Sequence, residues 1–414
     1  VPNGTPSRFL ETRLTCTDDR LNGLLPVLRA ALSGSGPALA LSDDVPQSHR
    51  KSTVGPSPGD LVGAPIPLVG ADDDSADPTA VAVRTSGSTG AAKHVLLSSS
   101  ALLSSAAATH DRLGGSGRWL LALPAQHVAG LQVLVRSLVA GTTPVVMDLT
   151  SGFTPAGFAE ATARLNGQRL YTSLVPTQLV RLLDSPEVDA LRRYDAILVG
   201  GAAAGPALLE RAAAAGVRLV TTYGMSETAG GCVYDGVPLD GVQITLDEPD
   251  GRIRIAGPVL ARGYLGDPEG TEAAFGTRPR QFVTSDHGSW QEGRLQIGGR
   301  LDSVIISGGL NIVPGPIEDA LGHLSGVAEA VVVGLPDPEW GQRVAAAIVL
   351  SPGAVPPTLA EVRAAVRQFA DPRSAPRQLT VLESLPLRGP GKPDRSAIAQ
   401  TLVSTPPTEV LRGS

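Results

Sequence analysis

Arg84-Thr-Ser-Gly-Ser-Thr-Gly-Ala-Ala-Lys93 follows a short apolar run, Ala80-Val-Ala-Val83, and ends on a lysine. A strand giving way to a turn rich in glycine and hydroxyl groups is the pattern of a phosphate cradle. Gly87 and Gly90 admit backbone angles that a side chain forbids, so successive N–H groups can converge on phosphate oxygens. Thr85, Ser86, Ser88 and Thr89 add hydroxyl donors, and Lys93 adds a mobile positive charge. A solvated serine–glycine loop is the competing reading of this stretch taken alone. A Walker A loop is excluded by spacing, because two alanines separate Gly90 from Lys93.

Lysine usage sharpens the cradle reading. Of 34 basic residues only three are lysine, Lys51, Lys93 and Lys392, and the other 31 are arginine. In a chain biased towards arginine, a retained lysine marks a place where a planar fork cannot replace a compact ammonium. Lys93 and Lys392 both lie beside glycine-rich turns.

The 414 residues, 42% of them hydrophobic, suffice for a large core and for two or three domains. The net charge of -6 is spread, apart from Asp72-Asp73-Asp74, and no basic stripe occurs, which disfavours a nucleic-acid surface and points to small-molecule partners. Cys16 and Cys232 are far apart without metal-ligand spacing, so neither a disulfide scaffold nor a zinc site is expected. The most apolar region, Trp119 to Val146, is broken by Gln126, His127 and Arg136, and no basic-then-apolar leader opens the sequence. The expectation is a cytoplasmic protein with no membrane insertion.

Strand-like and helix-like stretches alternate after the cradle. Val95 to Leu97 reads as a returning strand, and Ser98 as the cap of a helix reaching Leu113. Strands are expected at Trp119 to Leu123, Pro144 to Asp148, Leu170 to Val175, Ala196 to Val199 and Val217 to Thr222. Helices are expected at Ala129 to Ala140, Pro155 to Leu165, from Pro176, and at Pro206 to Ala215. This is an α/β pattern of helix-covered, mostly parallel sheet. Ligands of such sheets sit beyond the carboxyl ends of the strands, where the turns Ser173 to Thr177, Gly200-Gly201-Ala202 and Thr222-Tyr223-Gly224-Met225-Ser226-Glu227-Thr228 fall. From Gly251 the segments shorten into a small β subdomain, and Gly298 to Asp302 reads as a hinge. The strands Ala328 to Val333 and Val344 to Leu350, with helices Pro316 to Leu324 and Leu359 to Phe369, then make a compact α+β unit ending in Arg388-Gly-Pro-Gly-Lys392. Domains are therefore expected at 1–301 and 302–414. Residues 34–77 carry no assignable function.

In this order the pieces resemble the adenylate-forming family of acyl-CoA synthetases, nonribosomal adenylation domains and firefly luciferase, from about residue 80 to 400. Five separated motifs agree: Thr85 to Lys93, Tyr223 to Thr228, Phe282-Val-Thr-Ser-Asp286, Gly299 to Gly309, and Gly391-Lys392. Gln126-His-Val-Ala-Gly130 and Ser173-Leu-Val-Pro-Thr-Gln-Leu179 are most similar to the o-succinylbenzoate CoA ligase branch of menaquinone biosynthesis.

The resemblance implies two half-reactions. A carboxylate attacks the α-phosphate of ATP to give an acyl-adenylate and pyrophosphate, and the thiol of coenzyme A then displaces AMP. Thr85 to Lys93 would hold the β- and γ-phosphates, Glu227 would bind Mg²⁺, and Thr228 would bond the α-phosphate. Tyr223 would stack on adenine beside Gly200, Gly201 and Ala202. Asp286, with Arg300, would take the ribose hydroxyls. Lys392 would serve adenylation, the Ser307-Gly308-Gly309 face would replace it for thioester formation, and His127 would line the acyl pocket. Arg262 and Arg136 are candidates for a second substrate carboxylate.

Ala92, His94, Ser285 and Ser303 depart from the family pattern, as does Gly315-Pro-Ile-Glu318, and none of them removes a charge assigned to chemistry. Delivery of the acyl group to a carrier protein, or nucleotide binding without turnover, stay open as alternatives. A homodimer is a common default for such a chain.

Overall fold

The computed structural model describes residues 8–13, 18–42, 66–67, 77–85, 93–276, 278–351, 353–387 and 392–410. Two compact units are formed: residues 1–201, 215–245 and 254–283 make the first, and residues 202–214, 246–253 and 284–414 the second.

The first unit holds two sheets. One contains β1 (Arg8–Arg13), β2 (Ala38–Ser42), β3 (Ile66–Pro67), β4 (Thr79–Thr85) and β5 (Lys93–Ser98). Strands β1, β2 and β4 run parallel, and β5 returns antiparallel to β4. Strand β1 is followed by the helix α1 (Asp18–Leu32). Ser98 caps α2 (Ser99–Arg112) as expected, its side chain accepting from the N–H of Ala101 at 3.2 Å.

The second sheet has the order β12-β11-β10-β9-β8-β6-β7. Its members are β6 (Arg118–Leu121), β7 (Val145–Val146), β8 (Leu170–Leu174), β9 (Ala196–Val199), β10 (Leu219–Met225), β11 (Gly230–Tyr234) and β12 (Val237–Pro238). Strands β6 to β10 pair in parallel and β11 and β12 add antiparallel edges. Every residue of β8 and β9 is buried, as in strands covered on both faces; β9 is apolar throughout, and in β8 the buried Thr172 hydroxyl donates to the Leu120 carbonyl at 3.0 Å. The helix α3 (Val128–Val139) is buried continuously from Gly130 to Ser137. Gln132, Arg136 and Ser137 are buried along with its apolar residues. The helices α4 (Pro155–Arg164) and α5 (Pro176–Leu183) also belong to this unit, whereas α6 (Pro206–Ala214) belongs to the other.

A four-stranded sheet orders β13 (Gln243–Leu246), β14 (Arg252–Ala256), β16 (Phe282–Gln291) and β17 (Arg294–Arg300). The short β15 (Gly263–Tyr264) instead extends the first sheet at β5, and the helix α7 (Pro268–Phe275) follows it.

In the second unit, β18 (Ile305–Ser307), β19 (Leu310–Ile312), β20 (Val327–Asp337), β21 (Gly341–Leu350), β22 (Gln378–Val381) and β23 (Glu409–Val410) form a mixed sheet with α8 (Pro314–Gly322), α9 (Leu359–Phe369) and α10 (Arg395–Ser404). Side chains alternate between two cores. Val332, Val344, Ala346 and Ile348 pack with Ile317, Leu321, Val362 and Val366. Val331, Val333, Ala345 and Ala347 pack with Ile398 and Leu402. The period of two along β20 and β21 gives each face its own helices.

Candidate active site

The β4–β5 hairpin ends at the pair Thr85 and Lys93, where the Thr85 hydroxyl donates to the Lys93 carbonyl at 3.3 Å. Ser86, Gly87, Ser88, Thr89 and Gly90 lie outside the described residues. The Lys93 ammonium donates to Asp267 Oδ2 at 2.9 Å and sits 4.5 Å from the Tyr264 ring centroid. The Tyr264 hydroxyl in turn donates to Glu227 Oε1 at 3.0 Å. Lys93 and Glu227, separated by 134 positions in the numbering, are therefore joined through one aromatic ring. The bond from Lys93, then the N–H of Gly270, holds the Asp267 carboxyl below its ordinary range. Burial first and the Glu227 carboxylate second push the Tyr264 phenol up, so it stays a proton donor at neutral pH.

Beyond the carboxyl ends of β8, β9 and β10 lie the expected turns. Gly200 must be glycine, since a Cβ there would stand 2.2 Å from Thr222 Oγ1 and 3.0 Å from its carbonyl. A Cβ on Gly224 would stand 2.1 Å from the carbonyl oxygen of Gly230, and the register between β10 and β11 shifts at Tyr223 and Gly224. Such a bulge re-aims the chain beside a site. Thr222, Tyr223, Met225, Ser226 and Glu227 are half-buried and reachable, while Thr228 is fully buried. The Thr228 hydroxyl accepts from the Met225 N–H at 3.0 Å and lies 2.8 Å from the Gly230 carbonyl. In this geometry it braces the turn that presents Glu227. Ala229 takes the left-handed conformation, φ 50°, and its carbonyl accepts from Gln132 Nε2 at 2.7 Å.

His127 is half-buried at the N-terminus of α3, and its N–H donates to the Pro124 carbonyl at 3.2 Å. The close approach is permitted by Gly130, where a Cβ would meet the same carbonyl oxygen at 2.3 Å. The two candidate arginines have different surroundings. Arg262 donates to the Asp77 carbonyl at 2.7 Å, a main-chain tether. Arg136 is 3% exposed, stacks 5.1 Å from the Trp119 ring centroid and donates to the Tyr234 hydroxyl at 3.2 Å. Its Nε has no partner among the described residues. His110, beneath the same tryptophan, accepts from Trp119 Nε1 at 3.4 Å. Burial, then the Arg136 charge, lowers its pKa to about 4.

The second unit carries Asp286, Arg300, Ala202, Ser307, Gly308, Gly309 and Lys392. Asp286 is buried, with Arg300 Nη1 at 3.5 Å. Arg300 also forks onto Asp302, its Nε bonding Oδ1 at 2.8 Å and its Nη2 bonding Oδ2 at 2.5 Å. Gly308 and Gly309, φ 55° and 79°, form the two-residue turn between Ser307 and Leu310. Positive φ at both central positions is what this hairpin demands. A Cβ on Gly308 would strike the Trp340 ring at 2.3 Å. Lys392 is exposed, next to the bridge between Leu387 and Pro393, and Gly391 lies outside the described residues.

Tyr264, Asp267 and Gln132 were not legible as site residues. A usable signal existed for Tyr264, one of only five tyrosines, in a segment that follows the β14 pattern. Among the described residues no group of three or more His, Cys, Asp or Glu could hold a metal, and no helix is long and apolar enough to cross a membrane.

A mixed-sheet unit with the β4–β5 hairpin, a carboxylate just past a parallel strand and an α+β unit is the architecture of a nucleotide-using enzyme class. The chain belongs to the AMP-binding enzyme family, whose model matches residues 33–265, with the AMP-binding enzyme C-terminal domain matching residues 316–392. The expected adenylate-forming membership is met. A Mycobacterium tuberculosis protein named "Probable 2-succinylbenzoate–CoA ligase" is 45% identical over 381 residues, 91% of this chain and 94% of its own length. The 2-succinylbenzoate–CoA ligase of Listeria monocytogenes is 32% identical over 334 residues, 76% of this chain and 68% of its own. Among solved structures, o-succinylbenzoate CoA synthetase (MenE) from Bacillus subtilis, in complex with the acyl-adenylate intermediate OSB-AMP, superposes with a TM-score of 0.68 at 25% identity, covering 98% of this chain and 84% of that one.

Proposed function

We propose that the chain is an AMP-forming acid–CoA ligase that converts 2-succinylbenzoate into its coenzyme A thioester in cytoplasmic menaquinone biosynthesis. The observation that carries this reading is the 45% identity that runs along 91% of the chain. A carboxylate oxygen of the acid attacks the α-phosphorus of ATP and pyrophosphate leaves. The thiol sulfur of coenzyme A then attacks the acyl carbonyl and AMP leaves, carrying the bond electrons.

Carboxylate and triphosphate repel each other, so the residues' task is positioning and charge neutralisation. Thr85 and Lys93 flank the turn that would hold the β- and γ-phosphates. Tyr223, with Gly200, Gly201 and Ala202, would bind adenine, and Asp286 and Arg300 the ribose. His127 would face the acyl group. Mg²⁺ binds with few protein carboxylates and several waters or phosphate oxygens. A single carboxylate, Glu227, held at one oxygen by the Tyr264 hydroxyl, fits that demand, and the ion when bound would offset triphosphate charge. The Arg136 guanidinium, buried with Nε unpartnered among the described residues, fits the second carboxylate of the substrate, the one that does not react.

Lys392 would act in the first step and the Ser307-Gly308-Gly309 turn in the second, with Asp302 as the pivot between residues 1–301 and 302–414. Exchange of labelled pyrophosphate into ATP, screened over aryl, aryl-keto and fatty acids, tests the reading. 2-Succinylbenzoate should support the fastest exchange, and preference for a fatty acid would overturn it.

A further inference from the structure

We infer that Tyr264 is a positioning residue for the first half-reaction, its hydroxyl orienting the Glu227 carboxylate while its ring face seats the Lys93 ammonium. The inference rests on the roles given above to Glu227 and Lys93. It begins in the strand register. Tyr264 on β15 pairs with Val95 on β5, and Gly263 with Leu96. Side chains two apart on a strand share a face, so Lys93 is the diagonal neighbour of Tyr264 across the pair. The 4.5 Å between ammonium and ring centroid is that diagonal contact made as a cation–π pair.

The segment bearing Tyr264 is tied to the Glu227 loop twice. The Ala261 N–H donates to the Glu227 carbonyl at 2.8 Å, and the Tyr264 hydroxyl takes Oε1 at 3.0 Å. A carboxylate pinned through one oxygen has its second oxygen aimed, which is how an outer partner sets the direction of a metal ligand. Tyr264 itself cannot drift. Its N–H donates to Thr271 Oγ1 at 2.9 Å, its ring packs 5.9 Å from that of Phe275, and a Cβ on Gly263 would strike Thr271 at 2.4 Å. Asp267 completes the arrangement by capping α7 through Gly270 N–H at 2.8 Å while accepting from the Lys93 ammonium at 2.9 Å. An ammonium has three donors and can keep this bond while offering others.

Tyr264→Phe keeps the ring and removes the bond to Glu227, whereas Tyr264→Leu removes both contacts. The full chain, saturated with ATP, is titrated with Mn²⁺ and followed by electron paramagnetic resonance, and metal-free ATP binding is measured by calorimetry in EDTA. Tyr264→Phe should weaken Mn²⁺ binding by about 10- to 100-fold, the usual effect of removing an outer partner, while metal-free ATP affinity stays at the wild-type value. Tyr264→Leu should weaken both, and Glu227→Gln combined with Tyr264→Phe should lose no more Mn²⁺ affinity than Glu227→Gln alone. Wild-type Mn²⁺ affinity in a folded Tyr264→Phe protein, or losses that multiply in the double variant, would overturn the inference while leaving Glu227 a metal ligand. Unchanged Mn²⁺ affinity in Glu227→Gln would overturn the metal role itself and the inference with it.

Discussion

A guanidinium removed from water without a carboxylate beside it is costly to the fold, and Arg136 is held in that condition by a ring face and one hydroxyl. Replacing such a buried charge by an apolar side chain of similar volume is often neutral or stabilising. Arg136→Met should accordingly leave the thermal midpoint unchanged or raised. If the cation meets the unreacted second carboxylate, the same variant should raise KM for 2-succinylbenzoate by roughly 30-fold or more, as expected for losing about 2–5 kcal/mol from a desolvated charge pair. An aryl acid lacking the second carboxylate should show no such change in KM. The neighbouring His110 gives a pH signature. Folded, its pKa is lowered from 6.5 to about 4, so the unfolded chain takes up a proton in a window where the native chain does not. Stability is therefore fully present above pH 6.5, falls as pH drops towards 4, and levels off below, by about 3 kcal/mol in total. Urea titrations across that range should show the slope in the wild type and lose this contribution in His110→Gln.

At the scale of elements, the glycines around the carboxyl ends of the parallel strands decide where Glu227 points. Gly224 leaves no room for a side chain, since the obstruction is the Gly230 main chain and not a movable group. Gly224→Ala should cost about 1–3 kcal/mol, the range for overpacking, seen as a lower urea midpoint, and should depress pyrophosphate exchange by displacing the turn. What could be read from sequence follows the same division. The Ser98 cap, the strands β8 and β9 and the β4–β5 return were legible because each depends on neighbours a few residues away. β7 shrinks to Val145–Val146 against an expected Pro144 to Asp148, as suits a strand paired along one edge only. Lys93 with Asp267 and Glu227 with Tyr264 were illegible, because they depend on β15 joining β5 in one register, a pairing that no local pattern announces.

For the whole molecule, the proposed reaction consists of two chemically different steps, and Lys392 is assigned to the first of them. Lys392→Ala should cut adenylate formation by about 10²- to 10³-fold or more, the cost of losing a preorganised donor. The variant should still convert supplied acyl-adenylate into thioester, a separation that single-turnover assays of each half-reaction would resolve. Equal loss in both would mean that the lysine is not reserved for the first step. The most direct measurement of the account is product analysis by mass spectrometry after incubating the full chain with 2-succinylbenzoate, ATP, Mg²⁺ and coenzyme A and no other protein. The account predicts succinylbenzoyl-CoA and AMP in equal amounts, with AMP release dependent on coenzyme A. AMP release that requires a carrier protein, or no thioester from this acid, would contradict it.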